Sequence, residues 1–361
     1  MSLAIFLLWP NERCDRVGHN VKSRGGNRLK YQIEQCVKAS NKLGISKRDE
    51  RRLDDTQIHS YKQLKEVLSV SQNFGRWLVT QEINDLYDLK KKHYREYLIF
   101  KEAEGSSIGH LINIETCLRL LDKGMGKVSM NKGFGKRVWI PANRLFYSSM
   151  RPKPENRSIE SEKAELIYGK LSKNARIGMD LQMAFGLRLK EAAATTKAFI
   201  QDTQVGLFWE ASESKDALNK AQGVTKGGRP RKVPCRPGYE EIIRTLIAEK
   251  SNEEYLIPLR YNSLKSAYYR AGLKEGSHGL RHTYARVMLD LEFEIQGIGI
   301  EGKRMMQQMI ENKEAGYRKD HLLKRDQREL YKATQEVMDK VHSYLGHGSN
   351  RMDLARVYLS N

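Results

Sequence analysis

Apolar residues recur at intervals of three and four positions through most of the first half of this 361-residue chain. One such series runs through Ile108, Leu111, Ile114 and Leu118. This spacing places apolar side chains on one face of an α-helix, whereas a half-buried strand requires strict alternation. Single glycines separate the helical series from one another. We therefore predict a small, purely helical domain over residues 56–150.

The second half of the chain has a mixed pattern. Helical spacing continues, but short stretches rich in β-branched and aromatic residues, bounded by turn-forming residues, favour strands. We predict strands over 206–210, 222–225 and 231–235, with a tight turn at Gly227 and Gly228 between the last two. The whole chain is therefore expected to be mainly α-helical, with one small antiparallel sheet. Helices in this half are predicted over 161–171, 175–185, 239–249, 264–271 and 279–291.

Composition also suggests the domain boundaries. Pro152 and Pro154 lie among charged residues, which is typical of a linker, and we assign residues 151–158 to it. Residues 1–55 are polar and basic, with partly helical spacing, and we interpret them as an N-terminal appendage. Residues 159–361 then form a second, mixed α/β domain.

The charge of the chain indicates the class of its partner. Lys and Arg total 64 against 44 Asp and Glu, which gives a formal charge of +20. The excess is spread over the chain, so a short basic tail on a neutral domain is excluded. A hydrophobic content of 39% also excludes a disordered polyampholyte. A polyanion is the expected partner, with nucleic acid favoured over an anionic membrane surface.

Cysteine usage and hydropathy indicate the compartment. The four cysteines are far apart in the sequence and form no C-x-x-C pair, which argues against a zinc site and against a disulfide framework. No apolar run approaches the roughly 18 residues of a membrane-spanning helix. The short apolar stretch of residues 3–9 lacks the flanking features of a signal peptide. We therefore expect a cytoplasmic protein.

Four short segments of the second half carry residues suited to phosphate chemistry. Each has an ordinary structural explanation when it is taken alone, such as a surface ion pair, a solvated hairpin lysine, a helix cap or a half-buried tyrosine. Their order along the chain makes the set more specific than its members. The segments are GLRLKEA at 186–192, TKGGRPRKVP at 225–234, SHGLRHTYA at 277–285, and YLGH at 344–347 followed by Tyr358.

In that order and spacing, the segments resemble the motifs of the tyrosine recombinases, the phage-type integrases. GLRLKE is similar to the first arginine box of that family, and TKGG to the β-hairpin that carries its lysine. HGLRHTYA is similar to the His-x-x-Arg box, and LGH with a following tyrosine to the last box. The helical first half is similar to the family's core-binding domain by pattern only. The resemblance implies a two-domain clamp around DNA.

The resemblance also implies roles for individual residues. Two arginines hold the non-bridging oxygens of a DNA phosphate, and a tyrosine attacks the phosphorus to give a 3′-phosphotyrosyl intermediate. A histidine acts as base, a lysine protonates the leaving 5′-oxygen, a second histidine hydrogen-bonds the phosphate, and a glutamate orients one arginine. By this resemblance, the two arginines are Arg188 and Arg281, and the attacking tyrosine is Tyr358. The base is His278, the lysine is Lys226, the second histidine is His347 and the glutamate is Glu191.

The function that follows from the resemblance is site-specific recombination for the integration or excision of a mobile element. It implies double-stranded DNA as partner, a homotetramer during synapsis, accessory DNA-bending proteins or a directionality factor, and a bacterial, nucleoid-associated setting. No cofactor or metal ion is expected, because the arginines take the role that a pair of Mg²⁺ ions plays in other phosphoryl-transfer sites. No ATP is expected, because the covalent link conserves the bond energy. Two alternatives stay open: a type IB topoisomerase-like enzyme, and a non-catalytic DNA-binding protein on the recombinase fold.

One segment departs from the family pattern. Residues near 292–339 lengthen the interval between Arg281 and His347 and have helical spacing. Their nearly balanced charge differs from that of the rest of the chain and argues against DNA contact. We interpret them either as a helical hairpin on the surface or as a contact between protomers.

Overall fold

The protein is described here from a computed structural model covering residues 21–45, 57–135, 137–152, 156–211, 224–225, 230–274 and 276–359, with side chains from residue 28 onward. The chain divides into two compact units, residues 1–153 and residues 154–361. Neither unit contains, in its described part, a helix long and apolar enough to cross a bilayer.

The described part of the first unit is helical, as its periodicity predicted. Ser60 and Ser107 cap two of the helices, each accepting a backbone N–H of the first turn through its side chain. Short 3₁₀ turns at Leu86–Asp88 and Ser148–Met150 connect or follow the helices. The α-helices are α1 Val21–Ala39, α2 Tyr61–Thr80, α3 Lys91–Ala103 and α4 Ile108–Asn131.

Helix α1 is part of the core of this unit, although the sequence pattern assigned it to an appendage. Leu29, Ile33 and Val37 are buried on one of its faces, and they share a hydrophobic cluster with residues of α2 and α4. The backbones of α1 and α4 approach so closely that a Cβ at Gly124 would lie 2.0 Å from the carbonyl oxygen of Cys36. The appendage interpretation missed this packing because the apolar stripe of α1 is short.

The described part of the second unit combines nine α-helices with a three-stranded sheet. The strands are β1 Ile200–Thr203, β2 Gly206–Ala211 and β3 Arg231–Pro234, in the order β1-β2-β3 and antiparallel throughout. A 3₁₀ turn at Lys197–Phe199 precedes β1. The helices are α5 Ser161–Lys170, α6 Lys173–Phe185, α7 Leu189–Ala193, α8 Glu240–Ala248, α9 Tyr261–Ala271, α10 His278–Ile295, α11 Gly299–Glu314, α12 Arg328–Tyr344 and α13 Met352–Tyr358.

The mainly helical fold with a small antiparallel sheet is confirmed, with differences in the strands. Strands β2 and β3 lie where they were predicted. Val224 and Thr225 form a bend, and the rest of the predicted strand over 222–225 lies outside the described residues, as do Gly227 and Gly228. Strand β1 was missed because only Ile200 of its four residues is buried, so no alternation is visible in the sequence.

The segment near 292–339 is not a surface hairpin. Met305 and Met309 of α11 and Val337 and Val341 of α12 are buried. They belong to the same hydrophobic cluster as Trp209 of the sheet. The hairpin interpretation was therefore wrong about packing: the apolar stripes of the two helices complete the core of the second unit. Removing them would expose that core.

The close approach of α1 and α4 gives a test of the first unit. Gly124→Ala is expected to lower the free energy of unfolding by about 2 kcal/mol or more, because the new methyl group meets backbone that cannot move without separating the helices. Gly126→Ala in the same helix is the control, since its nearest neighbour would lie at 3.5 Å. Its unfolding free energy should stay within about 1 kcal/mol of the wild type. Urea denaturation of both variants measures the difference, and equal stabilities would contradict the packing described.

Candidate active site

The described residues that the sequence analysis selected lie at the ends of helices in the second unit. Arg188 directly precedes α7, and Glu191 lies within that helix. His278 begins α10 and Arg281 lies in its first turn. His347 follows the end of α12, and Tyr358 is the last residue of α13. Lys226 lies outside the described residues.

A phenol hydroxyl and an imidazole meet at the centre of this region. The hydroxyl of Tyr358 lies 2.6 Å from Nε2 of His278, and the Tyr358 side chain is buried with 6% exposure. Two further imidazole rings surround the phenol: the ring centroid of His282 is 4.2 Å away and that of His347 is 5.0 Å away. The phenol is therefore held in a fixed position against a nitrogen that can exchange a proton with it.

The protonation state of His278 follows from its surroundings. Burial lowers its pKa to about 4, and the cationic guanidinium groups of Arg281 and Arg188 act in the same direction. The imidazole is consequently neutral at neutral pH. A neutral imidazole can accept the proton of the neighbouring phenol, which an imidazolium cannot do.

Three arginines converge on the buried carboxylate of Glu191. Nη1 of Arg188 donates to Oε1 at 2.6 Å, and Nη2 of Arg231 donates to Oε2 at 2.8 Å. Nη1 of Arg281 lies 3.9 Å from Oε2. Burial alone would raise the pKa of Glu191, but the cations of Arg231, Arg281 and Arg188 outweigh it and hold the pKa below its ordinary value. The ionised carboxylate therefore fixes the guanidinium groups in place.

Arg281 is completely buried and bonded to backbone. Its Nη1 donates to the carbonyl of Gly186 at 2.6 Å, and its Nη2 donates to the carbonyl of Leu345. Burial, followed by the charges of Arg231 and Arg188, lowers the pKa of Arg281 to about 9. A guanidinium has five N–H groups, so three are not engaged by these two bonds.

Gly186 is required by this arrangement. It ends α6 in the left-handed conformation with φ +58°, which glycine adopts without strain. A Cβ there would also lie 2.4 Å from the ring of Tyr284. The resulting turn directs the Gly186 carbonyl to Arg281 and places Arg188 at the start of α7. The glycine of the GLRLKEA segment thus has a geometric role.

Sequence reasoning missed Arg231, His282 and His342. Arg231 lies in the TKGGRPRKVP segment, but nothing in the sequence indicates that β3 brings it to Glu191 and over the Trp209 ring at 5.0 Å. His282 follows His278 by one helical turn, a spacing that places both on one face of α10 and was a usable signal. His342 belongs to no motif.

Tyr344, the other tyrosine near the LGH segment, is engaged elsewhere. Its hydroxyl donates to Oε1 of Glu292 at 2.6 Å, and Lys340 donates to the other oxygen of the same carboxylate at 2.7 Å. Burial raises the pKa of Tyr344, and Glu292 raises it further. Tyr344 is therefore held as a neutral donor to Glu292.

Metal ligation has no visible basis in the part of the chain that the structure covers. No group of three or more histidine, cysteine or carboxylate side chains lies there in a position to hold an ion. Among the residues that the structure describes, the cations around Glu191 are Arg231, Arg281 and Arg188.

Comparison with known proteins gives structural similarity at low sequence identity. No protein-family model and no curated protein matches the chain. It is similar to a lambda integrase tetramer bound to a Holliday junction, with 15% identity, a TM-score of 0.49, and coverage of 86% of this chain and 75% of that one.

The chain is also similar to two further solved structures, over different shares of its length. The XerH site-specific recombinase bound to difH substrate has 16% identity and a TM-score of 0.46, over 74% of this chain and 87% of that one. The Tn1549 transposon integrase in complex with circular intermediate DNA has 11% identity and a TM-score of 0.45, over 92% of this chain and 96% of that one.

The buried carboxylate gives a pH-dependent prediction. Glu191→Gln should lower the free energy of unfolding by about 3 kcal/mol at neutral pH, because buried guanidinium groups lose their counter-charge. The contribution of a carboxylate with a lowered pKa is complete above its ordinary value of 4.5 and declines as the pH falls below that value. The difference in unfolding free energy between the variant and the wild type should therefore become smaller as the pH falls below 4.5. Urea denaturation at a series of pH values above and below 4.5 measures this difference.

The control for this prediction is Glu329→Gln. Glu329 pairs with Lys332 on the surface, with 85% of its side chain exposed, so its loss should change stability by less than about 1 kcal/mol. A Glu191→Gln variant as stable as this control would contradict the charge arrangement described.

The buried His282 gives a second pH-dependent prediction. Burial, followed by the neighbouring His278, lowers the pKa of His282 from 6.5 to about 4. Its stabilising contribution is complete above pH 6.5 and is lost as the pH falls towards about 4, because the unfolded chain binds a proton that the folded chain does not. His282→Asn should reduce the slope of unfolding free energy against pH in this window by about 1.4 kcal/mol per pH unit. Equal slopes in His282→Asn and in the wild type would refute the assignment.

Proposed function

We propose that this chain is a site-specific DNA recombinase that cleaves and rejoins strands through Tyr358. The observation that carries the proposal is the 2.6 Å contact between the Tyr358 hydroxyl and Nε2 of His278, beside the arginine cluster on Glu191. A phenol next to a neutral base and fixed cations is suited to attack on a phosphodiester. The sequence segments that resemble the tyrosine recombinase motifs supply the same residues.

The first step exchanges one bond and transfers two protons, one from the phenol to His278 and one from Lys226 to the leaving 5′-oxygen. A phenol is almost fully protonated at neutral pH, so it needs a base to attack efficiently. His278 accepts the proton as the phenolic oxygen bonds to phosphorus. The bond from phosphorus to the 5′-oxygen breaks, leaving a 3′-phosphotyrosyl link and a 5′-hydroxyl. Attack by a 5′-hydroxyl of another strand reverses the step, and the phosphotyrosyl link conserves the bond energy.

The arginines supply the electrostatic part of the proposal. Charge accumulates on the non-bridging oxygens as phosphorus becomes pentacoordinate, and a planar guanidinium fork matches two such oxygens. Arg188, whose side chain is 27% exposed, is accessible to a phosphate, and Arg281 adds a fixed charge and remaining N–H donors. Loss of one such donor typically costs about 3 kcal/mol in the transition state.

Two further residues complete the proposed chemistry. Lys226 protonates the leaving 5′-oxygen, and His347 hydrogen-bonds the phosphate. Glu191 does not react; it orients Arg188. The positive charge at the phosphate comes from arginine, so the proposal needs no metal ion, and the phosphotyrosyl link conserves the bond energy, so it needs no ATP.

DNA binding and assembly are part of the same proposal. A net charge of +20 favours phosphate contacts along a duplex. We propose that both units contact DNA as a clamp, that four copies form the synaptic complex, and that accessory DNA-bending proteins or a directionality factor act with it. Integration or excision of a mobile element in the bacterial nucleoid is the biological role that fits this assembly.

The test is covalent capture on a nicked suicide duplex, from which the cleaved fragment diffuses away. The wild type should form a covalent protein–DNA adduct, and Tyr358→Phe should form none, because the attacking oxygen is missing. Tyr344→Phe is the matched control: it removes a hydroxyl that is bonded to Glu292, and the adduct should persist.

Three other outcomes distinguish the competing functions. DNA binding without any adduct would make the chain a non-catalytic DNA-binding protein. An adduct with relaxation of supercoils but no junction intermediate would make it a type IB topoisomerase-like enzyme. An adduct that survives in Tyr358→Phe would exclude Tyr358 as the nucleophile.

A further inference from the structure

A buried histidine that belongs to none of the motifs lies against His347. His342, on the last turn of α12, is 1% exposed. Its Nδ1 lies 3.4 Å from Nδ1 of His347. Burial lowers the pKa of both groups, to about 4 for His342 and about 3 for His347. Both rings are therefore neutral at neutral pH, and each carries one ring proton.

The end of α12 creates this contact. The backbone N–H of His347 donates to the carbonyl of His342 at 2.9 Å, which folds the chain back over the last turn. Gly346 permits the reversal with a φ of +63°. The glycine of the LGH segment thus allows the imidazoles of His342 and His347, which are five residues apart in the sequence, to face each other.

Two neutral arrangements satisfy a hydrogen bond between the facing Nδ1 atoms. In the first, His342 donates from Nδ1, so the proton of His347 is on Nε2. In the second, His347 donates from Nδ1, so the proton of His342 is on its own Nε2. The two arrangements differ in which nitrogen of His347 can donate to a substrate.

The surroundings of Nε2 of His342 distinguish these two hydrogen-bonding arrangements. This atom is buried and has no hydrogen-bond partner among the described residues. The second arrangement would place an unpaired N–H there, and orphaned N–H donors are the rarest unsatisfied groups in protein interiors. The first arrangement leaves only a lone pair at this position. It also keeps the N–H of His347 on Nε2, in a residue that is only partly buried.

We propose that His342 is a positioning residue that fixes the tautomer of His347 by donating from its Nδ1 to the Nδ1 of His347. This inference rests on the proposed function for its significance: a phosphate oxygen accepts hydrogen bonds, so His347 serves it only with a proton on Nε2. His342 never contacts the DNA in this scheme. It acts through His347, as outer partners do for the histidines that bind metals.

The test reads the tautomer directly. Histidine-selective ¹⁵N labelling of the full chain distinguishes protonated from unprotonated ring nitrogens by chemical shift, and a His347→Gln sample assigns the His347 signals. In the wild type, Nε2 of His347 should be protonated and Nδ1 unprotonated. The reverse pattern in the wild type overturns the proposal without any further variant.

Two substitutions extend the test. His342→Phe retains an aromatic ring but no donor, so the His347 signals should shift towards a mixture of tautomers. His342→Asn places an amide N–H near the former Nδ1, so it should restore the wild-type pattern. The exposed His110→Asn should leave the His347 signals unchanged. A His342→Phe protein that melts like the wild type and keeps the wild-type His347 signals refutes the role of His342.

Activity separates this inference from the proposed function. If Tyr358 forms the adduct, His342→Phe should slow adduct formation by roughly tenfold, and His342→Asn should recover most of the rate. Unequal tautomers with equal adduct rates would overturn the positioning role. A wild type that shows the expected tautomer but forms no adduct would instead refute the proposed function and leave the hydrogen bond established.

Discussion

The buried carboxylate of Glu191 is the interaction on which the candidate site depends. Three guanidinium groups from different elements lie around it, two of them at hydrogen-bond distance. Like charges this close repel strongly in a poorly solvated interior, and a single ionised carboxylate offsets that repulsion. It thereby joins the α6–α7 turn, strand β3 and helix α10, so the site is part of the core of the second unit. A phosphate entering beside it would find positive charge already oriented.

The histidines around Tyr358 are held neutral, whereas Glu191 and the arginines are held ionised. Burial and the nearby arginines keep His278 and His347 neutral, with pKa values of about 4 and 3. The cations that would hold a phosphate therefore also keep the imidazoles able to accept or donate one proton each. Within this cluster, the arginines therefore carry the positive charge, and the neutral imidazoles are the groups that can accept or donate a proton.

Sequence reasoning identified the helical character and two of the three strands that the structure describes, while the roles of the selected site residues stay predictions. The hydrophobic period of two or 3.6 residues is a local property, and it was sufficient for most helices. It failed for β1, where three of four residues face solvent. It also failed for residues 292–339, because amphipathic helices look the same whether they cover a surface or complete a core.

The sequence by itself determined which chemical groups are available: a phenol, imidazoles, guanidinium groups and a carboxylate, at spacings that resemble a known family. Only the tertiary structure decided how these groups are used. It brought Arg231 to Glu191, turned Tyr344 towards Glu292, and placed His342 behind His347. These pairings join residues distant in sequence or depend on a single left-handed glycine, and the burial that sets their protonation is a property of the packed chain.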